Sequence, residues 1–232
     1  MKTLFIKKSF LIVLSVIVLG GICIGVCAGF AVKNASAINP DMPTVVIDAG
    51  HGGIDNGVVG IKSKTDEADI NLAIARILKN NFVNAGFNCV MTRTTEAGLY
   101  GTTAKGFKAR DMQKRKEIII QSDADMVISV HQNYCPLPSK RGGIVFFDKT
   151  SQCSTTLAQK IQTELNAMPE CVKLNEALHG DYFMLKCTKS PSVIVECGFL
   201  SNEKDDELLN TDEYRKALAY AIFKGAVNYF AS

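Results

Sequence analysis

The chain has 232 residues, 47% of them hydrophobic, and a formal net charge of +3. This length is enough for one domain with a buried core. The first 37 residues hold four lysines and no acid, so 22 basic and 23 acidic residues remain for the rest of the chain. Because that remainder is nearly neutral and has no basic run, we expect no nucleic-acid partner.

The N-terminal segment predicts export across a membrane. Residues 9–32 contain no charged side chain and as a helix would span about 36 Å, enough for a lipid bilayer. Three lysines precede this stretch and one follows it closely, which places the N-terminus in the cytoplasm and the following domain outside. The length favours a signal-anchor, whereas Ala35-Ser36-Ala37 fits the cleavage site of a signal peptide. We therefore expect a signal-anchor or signal peptide over residues 1–37, a linker over residues 38–43 and one domain over residues 44–232.

Apolar periodicity in that domain predicts strands that alternate with helices. Strands are predicted over residues 44–48, 87–91, 125–130, 143–147, 182–186 and 192–195. Helices are predicted over residues 66–84, 108–121, 151–167 and 212–230, with a loop over residues 98–107. This alternation predicts a single α/β domain whose mostly parallel, mixed central sheet of about six strands has helices on both faces.

Polar side chains follow three of the predicted strands. His51 and His131 each come directly after a strand, and the strand over residues 192–195 runs into Glu196. Open α/β sheets bind ligands at the carboxyl ends of their strands, so we expect these three side chains to share one site. Histidine is a natural ligand of zinc, and a catalytic zinc has three protein ligands with a fourth position open to water. The pattern therefore predicts a zinc enzyme.

A third zinc ligand would come from the start of the helix that follows the first strand. Asp66, Glu67 and Asp69 all have a spacing that allows a carboxylate to point back toward the strand end. The same acids would also stabilise a helix N-terminus without binding a metal. Spacing alone leaves these alternatives open.

Four ordered motifs carry a family resemblance. They are residues 48–53 (DAGHGG) with Asp55 and Gly57, Glu67 ahead of Asn71-Leu72, residues 129–133 (SVHQN), and residues 196–202 (ECGFLSN). With these motifs the domain resembles the zinc-dependent N-acetylmuramoyl-L-alanine amidases of bacterial cell-wall metabolism. The resemblance implies zinc bound by His51, Glu67 and His131, with Glu196 as general base. Ala49, Ala68 and Gln121 depart from the commoner residues of that family, and none of these departures removes a chemical group from the site.

The resemblance also implies a reaction. The substrate would be peptidoglycan, cleaved at the amide between the lactyl group of N-acetylmuramic acid and the L-alanine of the peptide stem. Zinc would polarise that carbonyl, and Glu196 would take the proton of the attacking water and pass it to the departing amine. An activating protein partner is compatible with this reaction.

A subgroup of the family, the sporulation amidases, is the most similar. The supporting stretches are residues 91–93 with the loop through residues 101–106, and residues 182–185 ahead of residues 188–191. This likeness implies a role in forming muramic-δ-lactam in the spore cortex, at the cell envelope or in the forespore intermembrane space. The alternatives are a vegetative cell-separation autolysin with the same chemistry and an inactive peptidoglycan-binding protein. The cysteine count would also fit a disulfide-linked envelope protein.

Several other side chains have two interpretations. Asp48 would either orient the His51 ring or cap the turn, and Asn133 is a candidate contact for the metal ligands or the substrate. Arg93 and Arg141 would bind substrate carboxylates or form structural ion pairs. His179 is expected to be an exposed loop residue rather than a fourth ligand.

The acids and cysteines of the domain have mostly structural interpretations. The acidic run over residues 205–207 is expected to be a solvated helix start. The six cysteines from Cys89 onward have irregular spacing, which favours small buried residues over disulfides. Cys135 and Cys197 are weaker candidates for a thiolate ligand.

Overall fold

The predicted alternation of strands and helices forms one six-stranded sheet covered by helices. A computed structural model describes residues 39–171 and 174–232. The strands are β1 (Thr44–Ala49), β2 (Asn88–Met91), β3 (Met126–Asn133), β4 (Ile144–Phe147), β5 (Leu178–His179) and β6 (Ser192–Phe199). The helices are α1 (Glu67–Asn84), α2 (Phe107–Gln121), α3 (Gln152–Asn166), α4 (Phe183–Lys186), α5 (Glu203–Leu209) and α6 (Asp212–Phe230).

The strand order is β2-β1-β3-β6-β4-β5. β1 pairs in parallel with β2 and β3, and β3 pairs in parallel with β6. β4 is antiparallel to β6 and parallel to β5. The predicted mixed, mostly parallel sheet is therefore confirmed, and β1, β3 and β6 end side by side at one edge.

Side-chain alternation separates the two faces of the sheet. Val45, Ile47 and Ala49 of β1 belong to a large core cluster that also contains residues of α1, α3 and α6. Val46 belongs to a smaller cluster on the other face, which contains residues of α2 and α4. Asp48 follows the parity of Val46, so its carboxylate points toward the face covered by α2.

The predicted strand over residues 182–186 is wrong. Phe183–Lys186 is the short helix α4, and the backbone N–H of Leu185 donates to the carbonyl of Tyr182. Met184 and Leu185 are buried against the smaller core cluster. A short apolar run has the same composition in a strand and in a buried helical turn, so periodicity does not distinguish them. The sixth strand is instead β5, which pairs with β4.

The acidic run over residues 205–207 is only partly solvated, contrary to expectation. Asp205 and Asp206 in α5 are buried, and each carboxylate accepts hydrogen bonds from a neighbouring loop. Asp206 accepts from the backbone N–H groups of Lys62 and Ser63 at 2.7 and 2.9 Å. This helix start therefore fixes the loop that leads from β1 to α1.

The predicted signal-anchor or signal peptide, including the uncharged stretch over residues 9–32, lies outside the described residues. Among the residues that the structure describes, we find no helix with the length and apolar character needed to cross a membrane.

Candidate active site

Three of the predicted site residues meet at the carboxyl edge of the sheet. One ligand-type atom from each of His51, Glu67 and His131 lies within 4.8 Å of the other two. Oε1 of Glu67 is 2.9 Å from Nδ1 of His131 and 3.3 Å from Nε2 of His51. Two imidazole nitrogens and one carboxylate oxygen are a donor set that zinc uses in catalytic sites. The residues present therefore fit the metal that the sequence predicts.

The loop before α1 brings in Glu67 rather than its acidic neighbours. The backbone N–H of Glu67 donates to the carbonyl of Val58, and Val58 returns a hydrogen bond to Oε2 of Glu67 at 2.9 Å. Asp69 is exposed on the same helix. Burial alone would raise the pKa of Glu67, but hydrogen bonds from His131 and His51 hold it well below its usual range. Glu67 is thus an ionised carboxylate between two imidazoles.

A glycine permits the two histidines to approach each other. The rings of His51 and His131 pack edge to face with centroids 4.9 Å apart. A Cβ atom added to Gly50 would lie 2.2 Å from Cε1 of His131, which is closer than atoms can approach. His51 itself has a φ of 60°, which a residue with a side chain rarely adopts. The turn after β1 is therefore held in a strained shape that presents the His51 ring.

Glu196 lies beside the same cluster. It is paired in register with His131 on the adjacent strand. Its Oε2 atom is buried and has no hydrogen-bond partner among the described residues. Burial, reinforced by the charge of Glu67, raises the pKa of Glu196 to about 7, although both histidines act to lower it. A carboxyl group that exchanges its proton near neutral pH suits a general base.

These groups open into a cavity of about 380 Å³. His51, His131 and Glu196 are among the residues that line it. Its walls are largely apolar and aromatic, and they come from the loop before α2, from α2 itself and from α4 with the residue before it. The wall residues include Tyr100, Phe107, Met112, Tyr182, Phe183 and Met184. The cavity therefore places an aromatic cleft over a cluster of imidazoles and carboxylates.

Residues 45–228 match the sequence profile of a family described as N-acetylmuramoyl-L-alanine amidase. The match covers nearly all of the described residues and includes all four groups of the cluster. The chain belongs to the N-acetylmuramoyl-L-alanine amidase family. The resemblance inferred from the four motifs is confirmed.

Relatives with known names agree with this assignment. The amidase is 33% identical over 190 residues to the germination-specific N-acetylmuramoyl-L-alanine amidase of Bacillus subtilis (strain 168), covering 80% of this chain and 79% of that protein. It is 36% identical to the solved CwlD amidase of Clostridioides difficile in complex with the GerS lipoprotein, with a TM-score of 0.77 over 82% of this chain and 98% of that one. It is 29% identical to the amidase LytC of Bacillus subtilis (strain 168), of which it covers only 35%.

The hydrogen bonds of the Asp48 carboxylate in this amidase come from groups other than the His51 ring, and its role in orienting that ring stays a prediction. Its carboxylate accepts hydrogen bonds from Thr92 and Arg115 at 2.7 Å each, and from Ser129 at 2.5 Å. Burial would raise the pKa of Asp48, but Arg115 and the two hydroxyl groups lower it to about 2. Asp48 is thus a buried structural carboxylate.

Sequence reasoning missed Arg115. Its side chain is only 2% exposed, and its guanidinium pairs with Asp48 at 2.7 Å and Asp111 at 2.5 Å. It also donates to the carbonyls of Ala49 and His51 at 2.7 and 2.6 Å. Arg115 therefore holds the strained turn that carries His51. In the sequence it appears only as one of several charges on an amphipathic helix, so no local signal identifies it.

The two arginines predicted as substrate contacts have structural partners. Arg93 is buried, and it donates to the carbonyls of Ala49, Gly50 and Ala68 at 2.7 to 2.9 Å. These contacts support the loop around His51, and a substrate role for Arg93 stays a prediction. Arg141 pairs with the buried Asp205 at 3.1 Å, as the ion-pair alternative predicted.

The remaining candidates are Asn133, His179 and the cysteines. The Asn133 side chain accepts a hydrogen bond from the backbone N–H of Tyr134, at the end of β3. His179 is exposed, as expected, but it lies in the edge strand β5 rather than in a loop.

Cys187 and Cys197 are buried free thiols, and burial raises the pKa of Cys197 above its usual range. Cys153 is exposed, which departs from the expectation of small buried cysteines.

Proposed function

We propose that this amidase is a zinc enzyme that hydrolyses the amide between the lactyl group of N-acetylmuramic acid and the L-alanine of the peptidoglycan stem. His51, Glu67 and His131 would bind the metal, and Glu196 would act as the general base. The observation that carries the proposal is the convergence of three ligand-type atoms within 4.8 Å, next to a buried carboxyl group on the adjacent strand.

Each part of the site has a chemical task in this reaction. Held by His51, Glu67 and His131, zinc would supply Lewis-acid chemistry at the amide carbonyl and at the attacking water. Glu196 takes a proton from the attacking water and delivers it to the alanine nitrogen as the amide bond breaks. Its Oε2 atom, without a partner in the described structure, is available for that transfer. The aromatic walls would pack against the substrate.

Digestion of purified peptidoglycan tests this function. The full-length protein with zinc should release stem peptides that begin with a free L-alanine amine and leave glycan strands with intact lactyl groups. Mass spectrometry identifies both products. Glycan fragments cut between sugars, or peptides cut within the stem, would contradict the proposed bond.

The cellular role that we propose is cortex modification during sporulation. It is supported by the similarity to a relative named as germination-specific, which extends over most of both chains. A strain without this amidase should form spores whose cortex lacks muramic-δ-lactam. Normal lactam content together with chained vegetative cells would point instead to a cell-separation autolysin.

We further propose that the domain acts outside the cytoplasmic membrane, attached by residues 9–32, and that it works with a protein partner. Relatives named as cell wall amidases support the location, and the solved CwlD was in complex with a lipoprotein. Membrane fractionation with N-terminal sequencing tests the attachment, because a mature N-terminus at Ile38 would show a cleaved signal instead. Crosslinking in sporulating cells tests for the partner.

A further inference from the structure

The two ring nitrogens of His51 face different carboxylates. Nε2 is 3.3 Å from Oε1 of Glu67, on the side of the proposed metal. Nδ1 is 3.1 Å from Oδ2 of Asp55, on the opposite side of the ring. An imidazole that donates a hydrogen from one nitrogen has a lone pair on the other, so a carboxylate at Nδ1 leaves Nε2 free to bind a metal.

The turn after β1 fixes the position of Asp55. The backbone N–H of Gly52 donates to the carbonyl of Asp55 at 2.9 Å, and the N–H of Asp55 donates back at 3.2 Å. Gly52 and Gly53 both have positive φ, which folds the chain back over His51. The hydroxyl of Tyr100 accepts from the N–H of Ile54 and anchors the tip of this turn. Asp55 is therefore brought to the His51 ring by backbone geometry rather than by chance contact.

A second partner occupies the other oxygen of the same carboxylate. Nζ of Lys108 in the first turn of α2 is 2.9 Å from Oδ1 of Asp55. The Lys108 side chain is 67% exposed, whereas that of Asp55 is 24% exposed. Exposed ion pairs of this kind contribute little to stability, so Lys108 alone does not account for the placement of Asp55.

We infer that Asp55 is a positioning residue for the metal, acting through His51. Oδ2 of Asp55 lies 3.1 Å from Nδ1 of His51, which is buried and has no other hydrogen-bond partner among the described residues, although the present ring angle does not complete a hydrogen bond. A small rotation of the ring would let the carboxylate accept the Nδ1 hydrogen, which selects the tautomer with a free Nε2 and holds the ring plane toward Glu67. This inference rests on the proposed function, because it requires His51 to be a zinc ligand. Carboxylates that orient a ligating histidine typically change metal affinity by about 10- to 100-fold when they are removed.

Zinc affinity, measured by competition with a chromophoric chelator on the full-length protein, tests the role of Asp55. Asp55→Asn and Asp55→Ala should both weaken zinc binding by about 10- to 100-fold. Two matched controls separate this effect from a general loss of charge. Asp69→Asn neutralises an exposed acid on the helix that carries Glu67, and Lys108→Met removes the other partner of Asp55. Both controls should stay within about twofold of the parent, since exposed charges contribute little.

Thermal unfolding of the metal-free proteins shows whether the variants fold. Asp55→Asn should unfold at nearly the same temperature as the parent, so that its weaker zinc binding reflects the site. Asp55 variants that bind zinc as tightly as the parent would refute the positioning role while leaving the zinc enzyme intact. Weakening by Lys108→Met equal to that by Asp55→Asn would refute it too, because the effect would then belong to the ion pair. A parent protein that takes up no zinc would overturn both this inference and the proposed function.

Discussion

Arg115→Met tests how the fold supports the turn that carries His51. Methionine fills much of the space of the arginine stem but leaves the Asp48 carboxylate, 1% exposed, without its cation. Removing one partner of a buried ion pair typically costs about 3–5 kcal/mol. Asp48 keeps its hydrogen bonds from Thr92 and Ser129, so we expect the lower end of that range, about 3 kcal/mol. In a domain of this size such a loss lowers the melting temperature by roughly 6–12 °C.

Urea unfolding of the metal-free protein measures this loss, and a second substitution identifies its cause. Asp48→Asn in the Arg115→Met background removes the uncompensated charge, so the double variant should recover part of the lost stability, about 1–2 kcal/mol. A loss below about 1 kcal/mol for Arg115→Met, the size expected of a surface pair, would refute the reasoning. So would a double variant that is no more stable than Arg115→Met.

Three further predictions concern titration and loop anchoring. Burial raises the pKa of Glu196 from 4.5 to about 7, so the free energy of unfolding of the metal-free protein should fall by up to about 3 kcal/mol as pH rises through that window. In urea unfolding at several pH values, Glu196→Gln should lack this loss, and the exposed-site control Glu176→Gln should retain it. Because the pKa of Asp48 is lowered from 3.8 to about 2, its stabilising contribution should be present above pH 3.8 and disappear as pH falls through about 2. An Asp48→Asn variant whose stability changed with acid pH as that of the parent does would contradict this. Asp206→Ala should leave the N–H groups of Lys62 and Ser63 without their acceptor and cost about 1–3 kcal/mol. Hydrogen exchange in that loop should be faster in Asp206→Ala than in the exposed-site control Glu213→Ala, and equal exchange in the two variants would contradict this.

The sheet and the metal cluster could be predicted because both depend on local patterns. Each strand of the cluster is a β-branched run that ends at a polar residue, and the carboxyl ends of parallel strands meet at one edge. His51 and His131 are therefore placed together by topology alone. Choosing Glu67 over Asp66 and Asp69 required the family resemblance, because all three acids share the first turn of α1 and spacing does not distinguish them.

The missed features depend on contacts between distant segments. Arg115 lies 64 positions after the His51 carbonyl that it binds, and Asp206 lies 144 positions after Lys62. Hydrophobic periodicity shows which face of a helix is apolar. It does not show which charged residue on the polar face has a buried partner, so such residues are predicted to be solvated. Asp55 is close in sequence to His51, but only the turn geometry shows that its carboxylate, rather than that of Asp48, faces the imidazole ring.

The most direct test of the zinc mechanism is a paired measurement of metal content and turnover for Glu196→Gln. Glutamine keeps the size of the side chain but does not accept the proton. We predict that this variant retains one zinc per chain, as the parent does, while Glu67→Gln and His131→Ala lose it. Release of stem peptides from peptidoglycan by Glu196→Gln should fall by at least about 10²- to 10⁴-fold. Loss of zinc from Glu196→Gln would make Glu196 a ligand rather than the base, and near-normal turnover would contradict the mechanism.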